Sequence, residues 1–194
     1  MQNFSSQRVK EYIENLILEY PVCEYVFGSP SDIPFSDRVF TICETDCKRY
    51  GHSWACPPHA GDLTANIERI KKYHHCLVFS TIWEVTDAWN FDACLEVRKQ
   101  HEVMTREIRK KVLGHFGLEE ESLAENPNPD IYFLSAGCAI CEECSCPDSE
   151  CKHPKERLMT MESHGILAVS LVEKLGLTSM YDGTTTVYFT MILF

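Results

Sequence analysis

Two clusters of cysteine constrain this chain more than any other feature of its sequence. Of the 11 cysteines in 194 residues, three fall within residues 43–56 and five within 138–151. Secreted disulfide scaffolds are shorter and normally pair an even number of cysteines. In a reducing compartment, by contrast, clustered cysteines usually bind metal or carry redox chemistry. The sequence therefore predicts a cytoplasmic protein with metal-binding or redox-active thiols.

The composition is that of a folded, acidic protein, with 44% hydrophobic and 24% charged residues. The length predicts a single domain over residues 1–194. A formal net charge of -11 repels nucleic acid and anionic membrane surfaces. No apolar run approaches the roughly 20 residues of a membrane span, and the polar segment Met1–Lys10 lacks the apolar stretch of a signal peptide. We therefore expect a cytoplasmic location, with neither nucleic acid nor membrane as partner.

Hydrophobic periodicity predicts an alternation of helices and strands. The predicted helices cover residues 5–20, 63–70, 91–116 and 166–175, with a short one from Pro154 toward Met161. The predicted strands cover residues 23–27, 38–43, 76–83, 131–136 and 187–194, and an acidic loop is expected from Leu118 to Asp130. This order predicts an α/β or α+β fold, in which helices flank a mixed sheet and the apolar C-terminal strand is central.

The long helix over residues 91–116 is predicted to have one buried stripe and one charged, exposed face. The buried stripe comprises Cys94, Val97, His101, Met104, Ile108 and Val112. The exposed face comprises Arg98, Lys99, Arg106, Arg109, Lys110 and Lys111. Three cysteines outside the clusters lie in apolar patterns and are expected in the core, namely Cys23, Cys76 and Cys94.

The later cysteine cluster has the spacing of an iron–sulfur site. Cys138, Cys141 and Cys144 form a C-x2-C-x2-C run, which is the opening of the bacterial ferredoxin motif and directs three sulfurs to one [4Fe–4S] cubane. The fourth ligand is expected to be Cys151, just before His-Pro, with Cys146 as the competing choice. The alternative is zinc, which four thiolates bind tetrahedrally, although usually from two separated C-x2-C pairs.

The earlier group, Cys43, Cys47 and Cys56, offers three thiols to a second metal centre. Three ligands leave one position open to an exogenous molecule or to His52 or His59, and an open position is typical of a reactive metal site. The alternative is a loop packed around Trp54 with ordinary buried thiols. Further along, Glu162 and His164 can line a pocket, but a salt bridge or helix cap is the expected role.

The two cysteine motifs together resemble a known family. The pattern Cys-x3-Cys-x2-Tyr-Gly-x2-Trp-x-Cys-Pro-Pro is followed by Gly-Cys-x2-Cys-x2-Cys, Cys-x-His-Pro and Met-Glu-x-x-Gly. From about residue 43 to the C-terminus, the chain is similar to a prokaryotic family of cysteine-rich cytosolic proteins that are predicted to bind metal and are of unknown function. The resemblance implies that the family's cysteines correspond to Cys43, Cys47, Cys56, Cys138, Cys141, Cys144 and Cys151. Cys146 departs from the family pattern, and the family supplies no activity to transfer.

Two classes of function follow from these motifs. One is a redox protein with a [4Fe–4S] cluster, acting in electron transfer or as a small redox enzyme subunit beside a redox partner protein. The other is a zinc-binding structural or metal-delivery protein without redox activity. No nucleotide-binding, phosphate-binding or hydrolase motif is present to define a substrate, so catalysis stays open.

Overall fold

The computed structural model describes residues 5–118 and 130–194, which form an α+β fold with one mixed sheet. Its helices are α1 (Ser6–Ile17), α2 (Arg38–Asp46), α3 (Leu63–Ile70), α4 (Phe91–Phe116) and α5 (Ala168–Lys174). Its strands are β1 (Tyr25–Gly28), β2 (Cys76–Glu84), β3 (Tyr132–Ser135), β4 (Met159–Thr160) and β5 (Thr185–Leu193). Short 3-10 helices cover Pro30–Asp32 and Glu162–His164. Most of the predicted acidic loop, residues 119–129, lies outside the described residues.

The sheet has the strand order β1-β2-β5-β3-β4. All neighbouring strands are antiparallel except β3 and β4, which are parallel. The longest pairing joins β2 to β5, from Cys76 opposite Leu193 to Glu84 opposite Thr185. The apolar C-terminal strand is therefore in the middle of the sheet, as its composition predicted.

Both faces of the sheet are buried, because alternate residues of each strand enter different cores. Leu77 and Phe79 pack with α1 and α4, whereas Val78 packs on the opposite side with α3 and α5. The second core also contains Ala55 and Met161, which belong to the segments that carry or follow the cysteines. The cysteine segments are thus attached to the sheet core.

Within the two described ranges, no helix combines the length and apolar character that crossing a membrane requires.

Residues 38–43 form the helix α2 rather than the predicted strand. The prediction followed their β-branched residues, but Val39 is the one buried residue of α2 and Ile42 is exposed. A strand also needs a neighbouring strand to form hydrogen bonds with its backbone N–H and C=O groups, whereas a helix forms these hydrogen bonds within itself. At the end of α2 the Cys47 N–H donates to the Cys43 carbonyl at 3.2 Å.

The predicted short helix after Pro154 is also wrong. One turn forms there, in which the Arg157 N–H donates to the His153 carbonyl at 3.0 Å. The chain then enters β4, whose Met159 lies opposite Leu134 of β3. The backbone groups that would form hydrogen bonds within a helix instead form them with the edge strand of the sheet.

Three exposure predictions are also wrong. Arg98 and Arg109, expected on the solvent face of α4, are only 6% and 2% exposed. The later cysteine segment covers this side of α4, and Arg109 Nη2 donates to the Lys155 carbonyl at 2.9 Å. Cys23, expected in the core, is exposed, whereas Cys76 is buried as predicted.

Candidate metal centre

The four cysteines predicted to form the later metal site line one small cavity. Cys138, Cys141 and Cys144 reach it from the loop after β3, and Cys151 reaches it from the following turn. The cavity has a volume of about 20 Å³, close to the space that one water molecule needs. The structure therefore brings these four thiols to one place; that they hold a metal stays a prediction.

Gly137 gives the chain its turn from β3 into the cysteine loop. Its φ of +137° is unfavourable for residues with a side chain, and an added Cβ would lie 3.0 Å from Nη1 of Arg98. The backbone therefore passes directly against a buried guanidinium at the entrance to the loop.

A buried carboxylate on α4 also fixes this loop. Glu102 is fully buried, and its Oε2 accepts a hydrogen bond from the Ala139 N–H. The same side chain forms ion pairs with Arg98 at 2.9 Å and with Arg106 at 3.5 Å. Burial raises the pKa of Glu102, while the two arginines and the N–H oppose that rise. Glu102 was not among the residues predicted from the sequence, although the spacing Arg-x3-Glu-x3-Arg on one helix is a signal for linked ion pairs.

Cys146 is placed differently from the four thiols of the small cavity. It is buried and is not part of the cavity lining. Its Sγ lies 3.7 Å from the Gly51 carbonyl, to which it donates a weak hydrogen bond. This placement favours Cys151 over Cys146 as the fourth thiol of the predicted site.

The three earlier cysteines line a second and much larger cavity of about 380 Å³. Cys43 comes from α2, while Cys47 and Cys56 come from the loop that follows. Burial raises the pKa of the Cys43 thiol to about 11 and that of the Cys56 thiol to about 12. Both thiols are therefore protonated at neutral pH, and binding a metal would require them to lose these protons.

The histidines proposed to complete the earlier site do not line this cavity. His52 is exposed, and the ring of His59 packs edge-on against Trp54 with centroids 5.4 Å apart. The half-buried Cys94, expected in the core, does line the cavity, and its Sγ donates to the Ala88 carbonyl at 3.4 Å. Among the described residues, Cys94 therefore lines the cavity beside the three cysteines, whereas His52 and His59 do not.

Glu162 and His164 have separate roles. Glu162 lines the large cavity, burial raises its pKa, and it forms no ion pair with any described residue. His164 is fully buried, and its Nε2 shares a hydrogen bond of 2.8 Å with the Tyr132 hydroxyl. Burial lowers the pKa of His164 to about 3. The expected salt bridge is therefore not formed, and His164 is a neutral residue of the core.

The two cavities share a wall. Ser53, Trp54 and Ala55 line the small cavity, whereas Cys56 and Pro57 line the large one. Two further bonds join the cysteine segments: Arg49 Nη2 donates to the Cys138 carbonyl at 3.2 Å, and Trp54 Nε1 donates to the Ser149 carbonyl at 3.0 Å. The predicted metal sites are thus next to each other, on opposite sides of one short segment.

Arginines in the linings of both cavities bear on whether these cavities suit an anionic metal–thiolate group. Two arginine Nε atoms are buried without a partner, and each belongs to a cavity-lining residue: Arg49 at the large cavity and Arg157 at the small one. The Nε of Arg98, which also lines the large cavity, lies 2.9 Å from Oε1 of Glu102. Buried donors of this kind are rarely left without a partner unless a bound group completes them. A metal with several thiolates is negatively charged, so the donors and thiols together fit such a group.

The spatial arrangement of the thiols is more open than that of a closed single-ion site. Within the described ranges, no group of three or more His, Cys, Asp or Glu side chains is arranged to hold a metal ion. An iron–sulfur cubane is larger than the small cavity, so it fits only when the loop moves outward. Glu142 and Glu143 of this loop are exposed.

Comparison with known proteins assigns the chain to a family. No curated protein and no solved structure matches it. The family described as "Predicted metal-binding protein (DUF2284)" matches residues 29–194, which include both cysteine segments and the cavities between them. This match confirms the resemblance carried by the two cysteine motifs. The chain belongs to this family of predicted metal-binding proteins.

Proposed function

We propose that the protein is a cytoplasmic iron–sulfur protein with a redox function. Cys138, Cys141, Cys144 and Cys151 hold a [4Fe–4S] cluster, which accepts and releases one electron at a time when bound. The observation that carries this proposal is that these four thiols, in C-x2-C-x2-C spacing with one downstream cysteine, line the same cavity. Arg157 offers a buried N–H to the negative charge of such a site.

The earlier group forms a second, incompletely ligated metal site. Cys43, Cys47 and Cys56 provide three thiolates, and the cavity beside them leaves room for an exogenous ligand. A metal with an open position is suited to reaction, whereas one saturated by protein ligands is suited to structure or electron transfer. We therefore place any reaction at the earlier group and electron storage at the later one.

The shared wall gives these two sites a direct connection. The segment from Ser53 to Pro57 separates the cavities, and Arg49 reaches from one to the carbonyl of Cys138 beside the other. An electron delivered to the later site by a redox partner protein thus needs to cross only this segment. The partner binds the exposed cysteine loop over residues 141–150, which is the most accessible part of the later site.

Zinc is the alternative, and one observation favours it. The small cavity of about 20 Å³ is smaller than a cubane. A single zinc ion needs less space, although the four thiols would have to draw together to bind it. In this alternative the later site carries no electrons and stabilises the loop after β3.

Metal analysis of protein purified without oxygen separates the two functions. We expect iron and acid-labile sulfide together with a broad absorbance near about 400 nm. Cys141→Ser should lose the later centre, and Cys146→Ser, a matched change in the same loop, should keep it because Cys146 does not line the cavity. A colourless protein with stoichiometric zinc and no iron would contradict the redox proposal. Equal metal loss in both variants would contradict the ligand assignment.

A further inference from the structure

The large cavity has room for an organic molecule beside its three cysteines. Its volume of about 380 Å³ falls within the roughly 300–1,000 Å³ of small-molecule sites. Much of its lining comes from elements that carry no cluster cysteine, including Leu95 of α4, Val169 of α5 and Val187 of β5. The cavity therefore extends well beyond what three metal ligands would need.

One part of this lining is apolar and partly aromatic. Phe91, Leu95, Met161, Val187 and Phe189 all contribute to it. Surfaces of this kind bind hydrocarbon or aromatic groups through the hydrophobic effect and close packing. They select a ligand with an apolar body and add nothing to the binding of a bare inorganic ion.

Another part of the lining is positively charged. Arg98 is 6% exposed, and Glu102 is the one described side chain that forms an ion pair with it. The Arg98 Nε lies 2.9 Å from that carboxylate, which is shared with Arg106. Arg49 lines the same cavity, and its buried Nε has no hydrogen-bond partner. Two arginines thus line the cavity, whereas its lining contains one carboxyl group, that of Glu162.

Guanidinium groups select a particular kind of anion. Their planar N–H donors match the two oxygens of a carboxylate and form charge-assisted hydrogen bonds with them. In a cavity with apolar walls such bonds are stronger than in water, and donors left without a partner are costly. The unpartnered Nε of Arg49, and Arg98 with a carboxylate that it shares with Arg106, therefore point to a ligand that supplies a carboxylate.

We propose that the large cavity binds a small organic carboxylate, with its anionic group against Arg98 and Arg49 and its apolar body against α5 and β5. The bound molecule lies next to Cys43, Cys47 and Cys56, where the open metal position is proposed. This inference deepens the proposed function and rests on it for what happens to the carboxylate after binding. The contacts that bind the molecule are made by the arginines and the apolar wall.

Binding is tested with benzoate, phenylacetate and hexanoate, each compared with its neutral amide. Ligand-observed NMR on protein purified without oxygen gives the affinities, and the metal content of the same samples is measured. We expect at least one carboxylate to bind about tenfold or more tightly than its amide, because only the carboxylate makes charge-assisted bonds. Equal binding of acids and amides, or no binding of any acid, would overturn the proposal.

Three variants locate the site, and a fourth serves as control. Arg98→Gln and Arg49→Gln should each weaken carboxylate binding about tenfold or more. Val169→Trp adds bulk at the cavity from a residue that is 58% exposed, and should abolish binding even if Arg98→Gln fails to fold. Arg38→Gln changes an exposed arginine of α2 outside the cavity and should bind as the wild type does.

The two proposals fail in different ways. If carboxylates bind and depend on Arg49 and Val169 while the protein contains no iron, the iron–sulfur function is wrong and the carboxylate site stands. If the protein contains iron but binds acids no better than amides, the carboxylate site is wrong and the iron–sulfur function stands. Carboxylate binding that is unchanged in Arg49→Gln and Val169→Trp would also overturn the site assigned here.

Discussion

Buried charge is the residue-scale feature that organises the cysteine loops. Glu102 binds the Ala139 N–H and two arginines, and Arg49 binds the Cys138 carbonyl, so the later loop is fixed by side chains from other segments. The sequence indicated the thiols directly, because their spacing is a local property. It did not indicate the charged residues as buried, because helix periodicity assigns arginine and glutamate to solvent unless a second segment is known to cover them.

Gly137→Ala should destabilise the protein more than an ordinary glycine substitution. The backbone has a φ of +137°, and the new Cβ would meet the Arg98 guanidinium at 3.0 Å. Such strain costs on the order of 1–3 kcal/mol, so the free energy of unfolding measured with urea should fall by about that amount.

Gly114→Ala provides the matched control. Gly114 lies on the exposed side of α4 with nothing within 4 Å of an added Cβ. Alanine should therefore stabilise the helix by about 0.5–1 kcal/mol. If the two substitutions change the free energy of unfolding equally, Gly137 is not under the constraint described here.

At the scale of elements, the sequence predicted correctly those helices and strands whose ends are marked by local signals. The helix α4 has the predicted bounds, because Asn90 caps its first turn and Gly117 ends it in the left-handed conformation. The strand β2 also has the predicted start at Cys76. Residues 38–43 were wrongly predicted to form a strand, because a strand depends on a distant partner whereas the propensity of β-branched residues is a weak local preference.

The helix α4 and the sheet are joined by a buried histidine, which makes stability depend on pH. His101 is fully buried, and its ring nitrogens lie 2.7 Å from the Thr81 hydroxyl of β2 and 2.9 Å from the Thr190 hydroxyl of β5. Burial lowers the pKa of His101 to about 3. The folded protein therefore keeps this ring neutral at pH values where the unfolded chain protonates it.

His101→Gln should reduce the loss of stability in acid. Between the ordinary histidine pKa of about 6.5 and the folded value of about 3, the unfolded chain binds a proton that the folded protein does not. Falling pH in this window therefore favours unfolding, by up to about 1.4 kcal/mol per pH unit for one such group. Urea unfolding at pH 7 and pH 5 measures the effect. His74→Gln, in the exposed turn before β2, should keep the wild-type pH dependence, and an unchanged dependence in His101→Gln would contradict the prediction.

At the scale of the whole molecule, two segments far apart in the sequence line two adjacent cavities. Each cysteine cluster could be recognised separately, because its spacing lies within a short stretch of sequence. Their common wall could not be predicted, because it depends on contacts such as Trp54 with Ser149 and Arg49 with Cys138, which are 95 and 89 residues apart. The large cavity could not be predicted for the same reason, since residues from helices and strands along most of the chain line it.

Trp54→Phe should loosen the later metal site although residue 54 is in the earlier cysteine segment. Phenylalanine keeps an aromatic ring opposite His59 but loses the N–H that binds the Ser149 carbonyl at 3.0 Å. A neutral hydrogen bond contributes on the order of 1 kcal/mol, so the loop should open about fivefold more often and release its metal to a chelator correspondingly faster. Trp89→Phe is the control, because Trp89 is 82% exposed and lines neither cysteine cavity. Equal release rates in the two variants would mean that the later loop keeps its metal without support from the earlier segment, and the two sites would then have to be treated as independent.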